Sequence, residues 1–193
     1  MKVVVIKYNA GNVQSVLFAL ERMGIKGILS DKAEEINSAD KIIFPGVGEA
    51  SNAMQYLKET RLDAVIKGLK QPSLGICLGM QLMCKYSEEG GTDCLGIFDL
   101  NVKKFQEGLK IPQIGWNNIF NLKGELFNGI KANEFMYFVH GYYIEKNENS
   151  IAETNYITDF SSAIQKNNFY AVQFHPEKSS LSGQKLLENF IKL

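Results

Sequence analysis

Apolar and polar positions follow two different rhythms along this chain. The first half alternates short apolar runs with longer helical patterns. Val3 to Ile6 is an unbroken apolar run, which reads as a strand buried on both faces. Val13, Val16, Leu17, Leu20 and Met23 then recur three or four apart, on one face of a helix with Asn12 as N-cap and Gly24 as its stop. Ile25 to Leu29 reads as a second strand and "DKAEEINSAD" as a short polar helix. "KIIFPGVG" reads as a strand stopped by Pro45 that runs into a glycine loop. Helical pattern extends from Ala50 to Lys70 with a break near Thr60, "SLGI" is the next strand, and another helix begins near Gly79. Strands separated by helices of this length predict a parallel sheet with right-handed crossovers.

Past Leu95 the rhythm shortens to β runs between turn residues: "FDLNVKKF", "EFMYFVHGYYI", "SIAETNYI", "SSAIQK" and "FYAVQF". These predict antiparallel strands added to the same sheet. "SSLSGQKLLENFIKL" closes the chain as an amphipathic helix carrying Leu186, Leu187, Phe190 and Ile191 on one face. No linker, internal repeat or low-complexity stretch interrupts this pattern. Residues 1–193 therefore read as one α/β domain, an open mixed sheet with a parallel core flanked by helices and with antiparallel strands added. In such sheets ligands bind beyond the carboxyl ends of the strands, and both "PGVG" and Cys77 fall there.

Composition narrows the choice of partner. Twenty-one basic residues balance twenty-one acidic ones, so nothing marks a nucleic-acid or membrane-surface partner. The opening apolar run is too short for a signal-peptide core or a bilayer span, and no other run is long enough to span a bilayer; the expected location is the cytoplasm. Three cysteines (Cys77, Cys84, Cys94) and two histidines (His140, His175) match neither a disulfide framework nor a zinc spacing, so no metal and no cofactor are expected.

The chemistry concentrates in "PSLGICLGMQLMCKY", where Cys77 stands between Gly75 and Gly79 as an apolar run turns helical. Strand, cysteine, helix is the pattern of a nucleophile elbow, with cysteine in place of serine. The flanking glycines let neighbouring backbone pass without Cβ clashes, the helix start favours thiolate, and the N–H of Leu78 points where an oxyanion would form. A buried structural cysteine, the alternative, asks for no glycine at these places. Cys84 and Cys94 read as packing residues, in helix core and loop. A cysteine nucleophile needs a base, and the base an orienting acceptor. His175 follows the β run "FYAVQF", and Glu177 stands two residues on across the stiff Pro176, within reach of the imidazole; a chance pairing in a solvated loop is the alternative. His140, amid the aromatics of "YFVHGYY", reads as a core or pocket-lining histidine. In "FPGVGEA" two glycines free backbone N–H groups for an oxyanion, and they make rotation of a peptide at Val47 cheap.

"PGVG", "GICLGMQ" and "HPE", in this order and over this length, resemble the class I glutamine amidotransferases. The resemblance implies that fold and a Cys-His-Glu glutaminase. Cys77 would attack the side-chain amide of L-glutamine, His175 would move the proton and Glu177 would orient it. Val47 and Leu78 would supply the oxyanion hole, and Gly46, Gly48, Gln81, His140, Gly141 and Tyr142 would bind glutamine. "KYNAGNVQSV", "IGWNN", "YFVHGYY" and "FHPEKSS" are similar to the branch of that family that passes ammonia to a (β/α)₈ cyclase subunit forming imidazole glycerol phosphate. That similarity implies a heterodimer, with Asn12, Trp116, Asn117, Tyr137 and Lys178 on the cyclase-facing side. Two positions depart from the branch pattern: Gln113 stands where histidine is usual, and Gly141 where serine or threonine is usual. Glutaminases of this fold serving another acceptor synthase, such as pyridoxal phosphate, anthranilate, guanylate or surface-sugar amidination, stay open at this point. So do a free-standing γ-glutamyl cysteine hydrolase and a non-catalytic docking subunit.

Overall fold

The computed structural model describes residues 1–9 and 12–193, so Ala10 and Gly11 of the "KYNAGNVQSV" stretch lie outside the described residues. The chain begins β1 (Val3–Ile6), α1 (Val13–Arg22), β2 (Gly27–Ser30), α2 (Ala33–Asn37), β3 (Lys41–Gly46), α3 (Ala50–Glu59), α4 (Leu62–Lys67), β4 (Ser73–Cys77) and α5 (Leu78–Met83). Short strands follow: β5 (Tyr86–Ser87), β6 (Thr92–Asp93), β7 (Asn101–Lys104), β8 (Gln113–Asn118), β9 (Phe135–His140) and β10 (Tyr142–Ile144). Three more, β11 (Ser150–Tyr156), β12 (Thr158–Lys166) and β13 (Phe169–Val172), lead into α6 (Ser180–Lys192).

The central sheet has seven strands in the order β11-β12-β13-β4-β3-β1-β2. Neighbours from β13 to β2 run parallel, and β11 and β12 add an antiparallel edge. The unbroken apolar runs follow from cover on both faces. Val4, Ile6, Ile42 and Phe44 point into a core shared with α2, α3 and α4, while Val3, Val5, Ile43 and Leu74 point into one shared with α1 and α6. Each fully buried side chain of this kind contributes about 1.5–3 kcal/mol. No helix among the described residues is long and apolar enough to cross a membrane.

Three expectations change. Pro45 does not stop β3: the strand runs on to Gly46, paired Pro45 with Ile76 and Gly46 with Cys77. It tolerates a proline there because β1 pairs only as far as Ile43, so no ladder hydrogen bond on that side is lost. Not every late β run joins the main sheet: β10-β7-β5-β6 form a second sheet and β8-β9 an antiparallel pair of their own, while β13, from "FYAVQF", joins the main sheet parallel to β4. Asn12 precedes α1 but makes no capping hydrogen bond with its side chain.

What the sheet order achieves is adjacency. Strands β3, β4 and β13 are neighbours, and their carboxyl ends deliver the "PGVG" loop, Cys77 and the segment Gln173–Glu177 side by side.

Candidate active site

Cys77 is the last residue of β4, with φ +53 and ψ −111, a conformation that L-residues rarely hold. Close packing forces it. A β-carbon on Gly79 would overlap the carbonyl oxygen of Phe44 in β3, and one on Gly75 would lie 2.9 Å from the Met83 sulfur and 3.1 Å from the Gly79 backbone. The two glycines thus let α5 start directly on the sheet and leave the thiol at the floor of a cavity of about 280 Å³. Cys77 Sγ lies 3.6 Å from the Val139 carbonyl and accepts from Gln173 Nε2 at 3.7 Å.

His175 is buried, lines the same cavity as Cys77 and hydrogen-bonds to its thiol. Its Nδ1 lies 2.8 Å from Glu177 Oε1, so the carboxylate fixes that nitrogen as the protonated one and leaves Nε2 for the thiol side. Burial by itself lowers the basicity of the ring, but hydrogen bonds and charge from Cys77 and Glu177 outweigh it and raise His175 to about 10. Pro176 opens a 3₁₀ turn over Pro176–Lys178. Ser179 locks that turn: its hydroxyl donates to the His175 carbonyl at 2.6 Å and accepts the Tyr137 N–H at 2.9 Å. The cavity lies just below the range of about 300–1,000 Å³ of drug-sized sites and suits an amino-acid side chain. Val47 and Gly48 form one wall, Leu78 and Gln81 another, and the Val139–Tyr142 segment faces them.

A buried cysteine on an elbow, a histidine held by a carboxylate, and the small cavity that both line are the parts of an acyl-transfer site. The sequence model of the family described as "Glutamine amidotransferase class-I" matches residues 4–193. The chain belongs to the class I glutamine amidotransferases. Among curated relatives, imidazole glycerol phosphate synthase subunit HisH of Bacteroides fragilis (strain YCH46) is 55% identical over 100% of both chains, and that of Bacteroides thetaiotaomicron is 53% identical over 100% of both. A solved structure described as a glutamine amidotransferase matches with TM-score 0.77, covering 98% of this chain and 97% of that one; at 18% identity it speaks for the fold alone.

This amidotransferase arranges the other candidate residues unequally. Gly48, Gln81, His140, Gly141 and Tyr142 line the cavity beside Val47 and Leu78. Gly46 does not; it packs behind the loop between the Tyr8 hydroxyl and Leu78, where a β-carbon would have no room. Among the described residues no group of His, Cys, Asp and Glu converges as a metal site would. Trp116 and Tyr137 pair across β8 and β9 with ring centroids 5.9 Å apart, and Lys178 Nζ sits 6.0 Å from the Tyr137 ring centre. Asn117 donates to the Asn155 carbonyl at 2.9 Å. Lys178 borders both the catalytic cavity and an adjoining cleft that it shares with Trp116 and Glu177. Asn12, expected on the cyclase-facing side, turns its amide onto Glu177 at 2.8 Å.

Two residues of the site escape sequence reasoning. Gln173 accepts from Gln81 Nε2 at 2.9 Å while donating to Cys77, which ties the elbow helix to the sheet. Its signal was available: it stands two before His175, the spacing that puts side chains on one face of an extended chain. Gln113, one of the departures from the branch pattern, meets His140 Nε2 at 2.9 Å, and His140 Nδ1 donates to the Tyr142 carbonyl at 2.7 Å. Burial pushes His140 down to about 4, aided by the charge on His175, so the ring is a neutral strut in the cavity wall.

Proposed function

We propose that this chain is the glutaminase subunit of an imidazole glycerol phosphate synthase, acting in histidine biosynthesis as one amidotransferase domain over residues 1–193 in the cytoplasm. The observation that carries the chemistry is the Cys77–His175–Glu177 constellation at one cavity. Identity to the Bacteroides subunits over the whole of both chains supports the acceptor.

Cys77 Sγ, its proton already held by His175, adds to the carboxamide carbon of L-glutamine. The oxyanion is held by the N–H groups of Val47 and Leu78. Collapse breaks the C–N bond, His175 protonates the leaving nitrogen, and ammonia departs, leaving a thioester on Cys77. His175 then draws a proton from water, which adds to the thioester and releases glutamate and the thiol. Glu177 stabilises the imidazolium in both halves without taking its proton. Gly48, Gln81, Gly141 and Tyr142 bound the part of the cavity that would take the amino-acid end of glutamine, with His140 neutral behind them.

The ammonia goes to a (β/α)₈ cyclase subunit in a heterodimer. An apolar face supports a docked partner: Ile114, Trp116 and Phe135 are 60%, 52% and 58% exposed on the β8–β9 pair, beside Tyr137 and Lys178. Grouped exposed apolar side chains of this size mark a contact surface. The test is copurification with the cyclase, then synthesis from glutamine or from ammonium salt. Cys77→Ala should abolish glutamine-dependent synthesis and keep ammonium-dependent synthesis, whereas Cys84→Ala should cost about 1 kcal/mol of stability and little activity. Loss of both syntheses in Cys77→Ala would make the thiol structural. Failure to bind the cyclase, with glutaminase activity intact, would mean another acceptor.

A further inference from the structure

We infer that Asn12 and Ser15, at the start of α1, are a positioning pair that holds the Glu177 carboxylate in the orientation the triad uses. The residue before a helix ordinarily spends an asparagine side chain on capping the first backbone N–H groups. Asn12 makes no such bond and sits at φ +74, in the left-handed region. Its Nδ2 instead donates to Glu177 Oε1 at 2.8 Å, the same oxygen that faces His175 Nδ1. Ser15 Oγ donates to Asn12 Oδ1 at 2.6 Å. A hydroxyl donor on the amide oxygen obliges the amide nitrogen to face the carboxylate. The forfeited cap and the unusual backbone therefore both serve one contact.

Glu177 needs such a guide. Among the described residues Oε1 takes two donors while Oε2 is buried without a partner, so none of them on the Oε2 side holds the carboxylate against turning. Asn12 makes the oxygen facing His175 the satisfied one. Asn12 acts through Glu177 and does not border the catalytic cavity, so it is a positioning residue.

The inference uses the glutaminase reading only for its activity arm. The full chain, with its synthase partner added, is compared with Asn12→Ala, Asn12→Asp and Ser15→Ala. Asn12→Ala should lower kcat about tenfold with KM for glutamine within about twofold, and Ser15→Ala should lower kcat about threefold. Asn12→Asp adds a second acid beside Glu177, near His175 and with Lys178 and Arg22 bordering the adjoining cleft. Paired carboxylates share a proton, and the protonated form donates as the amide did, so this variant's activity relative to wild type should climb from about pH 8.5 to about pH 6. A second readout needs no substrate. The chain has two histidines, so their imidazole resonances separate readily. In Asn12→Ala the His175 titration midpoint should fall while that of His140 stays in place. An unmoved His175 midpoint with kcat within twofold in Asn12→Ala and Ser15→Ala would overturn the pair, as would equal movement of both histidines with a lowered melting temperature. If wild type does not hydrolyse glutamine, the function fails separately, and the titration still decides the positioning role.

Discussion

Gly79→Ala tests whether the elbow geometry is what makes Cys77 usable. Two effects oppose each other. Alanine in place of glycine inside a helix is favourable by about 1 kcal/mol. The new β-carbon, however, overlaps the Phe44 carbonyl oxygen. Phe44 cannot give way, because it lies in β3 between β1 and β4 and is fully buried. The start of α5 must move instead. Overpacking against a fixed backbone costs about 1–3 kcal/mol, and here the upper end applies, so the clash wins. The net cost is about 2 kcal/mol, and at about 2–4 °C per kcal/mol for a chain of this size the melting temperature should fall by about 4–8 °C. The larger effect is on turnover, because a displacement on the order of 1 Å at the reacting atoms costs about 10²-fold. Gly68→Ala is the control. Gly68 ends α4 outside the left-handed region with nothing closer than 3.4 Å to a β-carbon, so it should keep full activity and gain slightly in stability. Differential scanning fluorimetry and glutamate release with the partner present give both quantities. Wild-type melting and turnover in Gly79→Ala would refute the argument that close packing places the nucleophile.

Two further outcomes follow from the electrostatics. His175→Ala should lose about two orders of magnitude more kcat/KM than Glu177→Gln, since the imidazole carries the proton and the carboxylate only holds it; equal losses in steady-state kinetics would reverse these roles. His140, lowered from 6.5 to about 4 because burial disfavours its charged form, binds a proton more readily in the unfolded chain. Its contribution is fully present above the ordinary value and is lost as pH falls from about 6.5 toward 4, by about 3 kcal/mol at most. Urea midpoints between pH 7 and 4.5 should therefore drop more steeply for wild type than for His140→Gln; parallel slopes would show that the ring is not held neutral by the fold.

The elements whose identity depends on local period were legible in the sequence. The switch from an apolar run to a helical pattern at Cys77 marked both β4 and α5, and the glycines announced close packing. Pairing partners were not legible, because a period of two says which faces a strand presents and not which edge it joins. That is why β7 and β10 were assigned to the main sheet. Strand β8 was hidden for a different reason: Ile114 and Trp116 face outward, so the apolar rhythm that reveals other strands is inverted there. That Cys77, His175 and Glu177 come together was legible because two histidines leave a short search. Asn12 misled because its residue type fits a helix cap, and only the folded chain brings Glu177 to it.

The insertion of β13 beside β4 has a consequence for the chain as it is made. Strand β4 and its cysteine leave the ribosome first, and β13 follows roughly ninety residues later, a delay of about 5–20 s at ordinary elongation rates. Throughout that interval one edge of β4 has no neighbour, and an unpaired apolar edge invites pairing with other chains. The nascent thiol also lacks its histidine, so the growing polypeptide consumes no glutamine. Hydrolytic competence arrives in one step, when the late strand closes the middle of the sheet, and the same step removes the sticky edge.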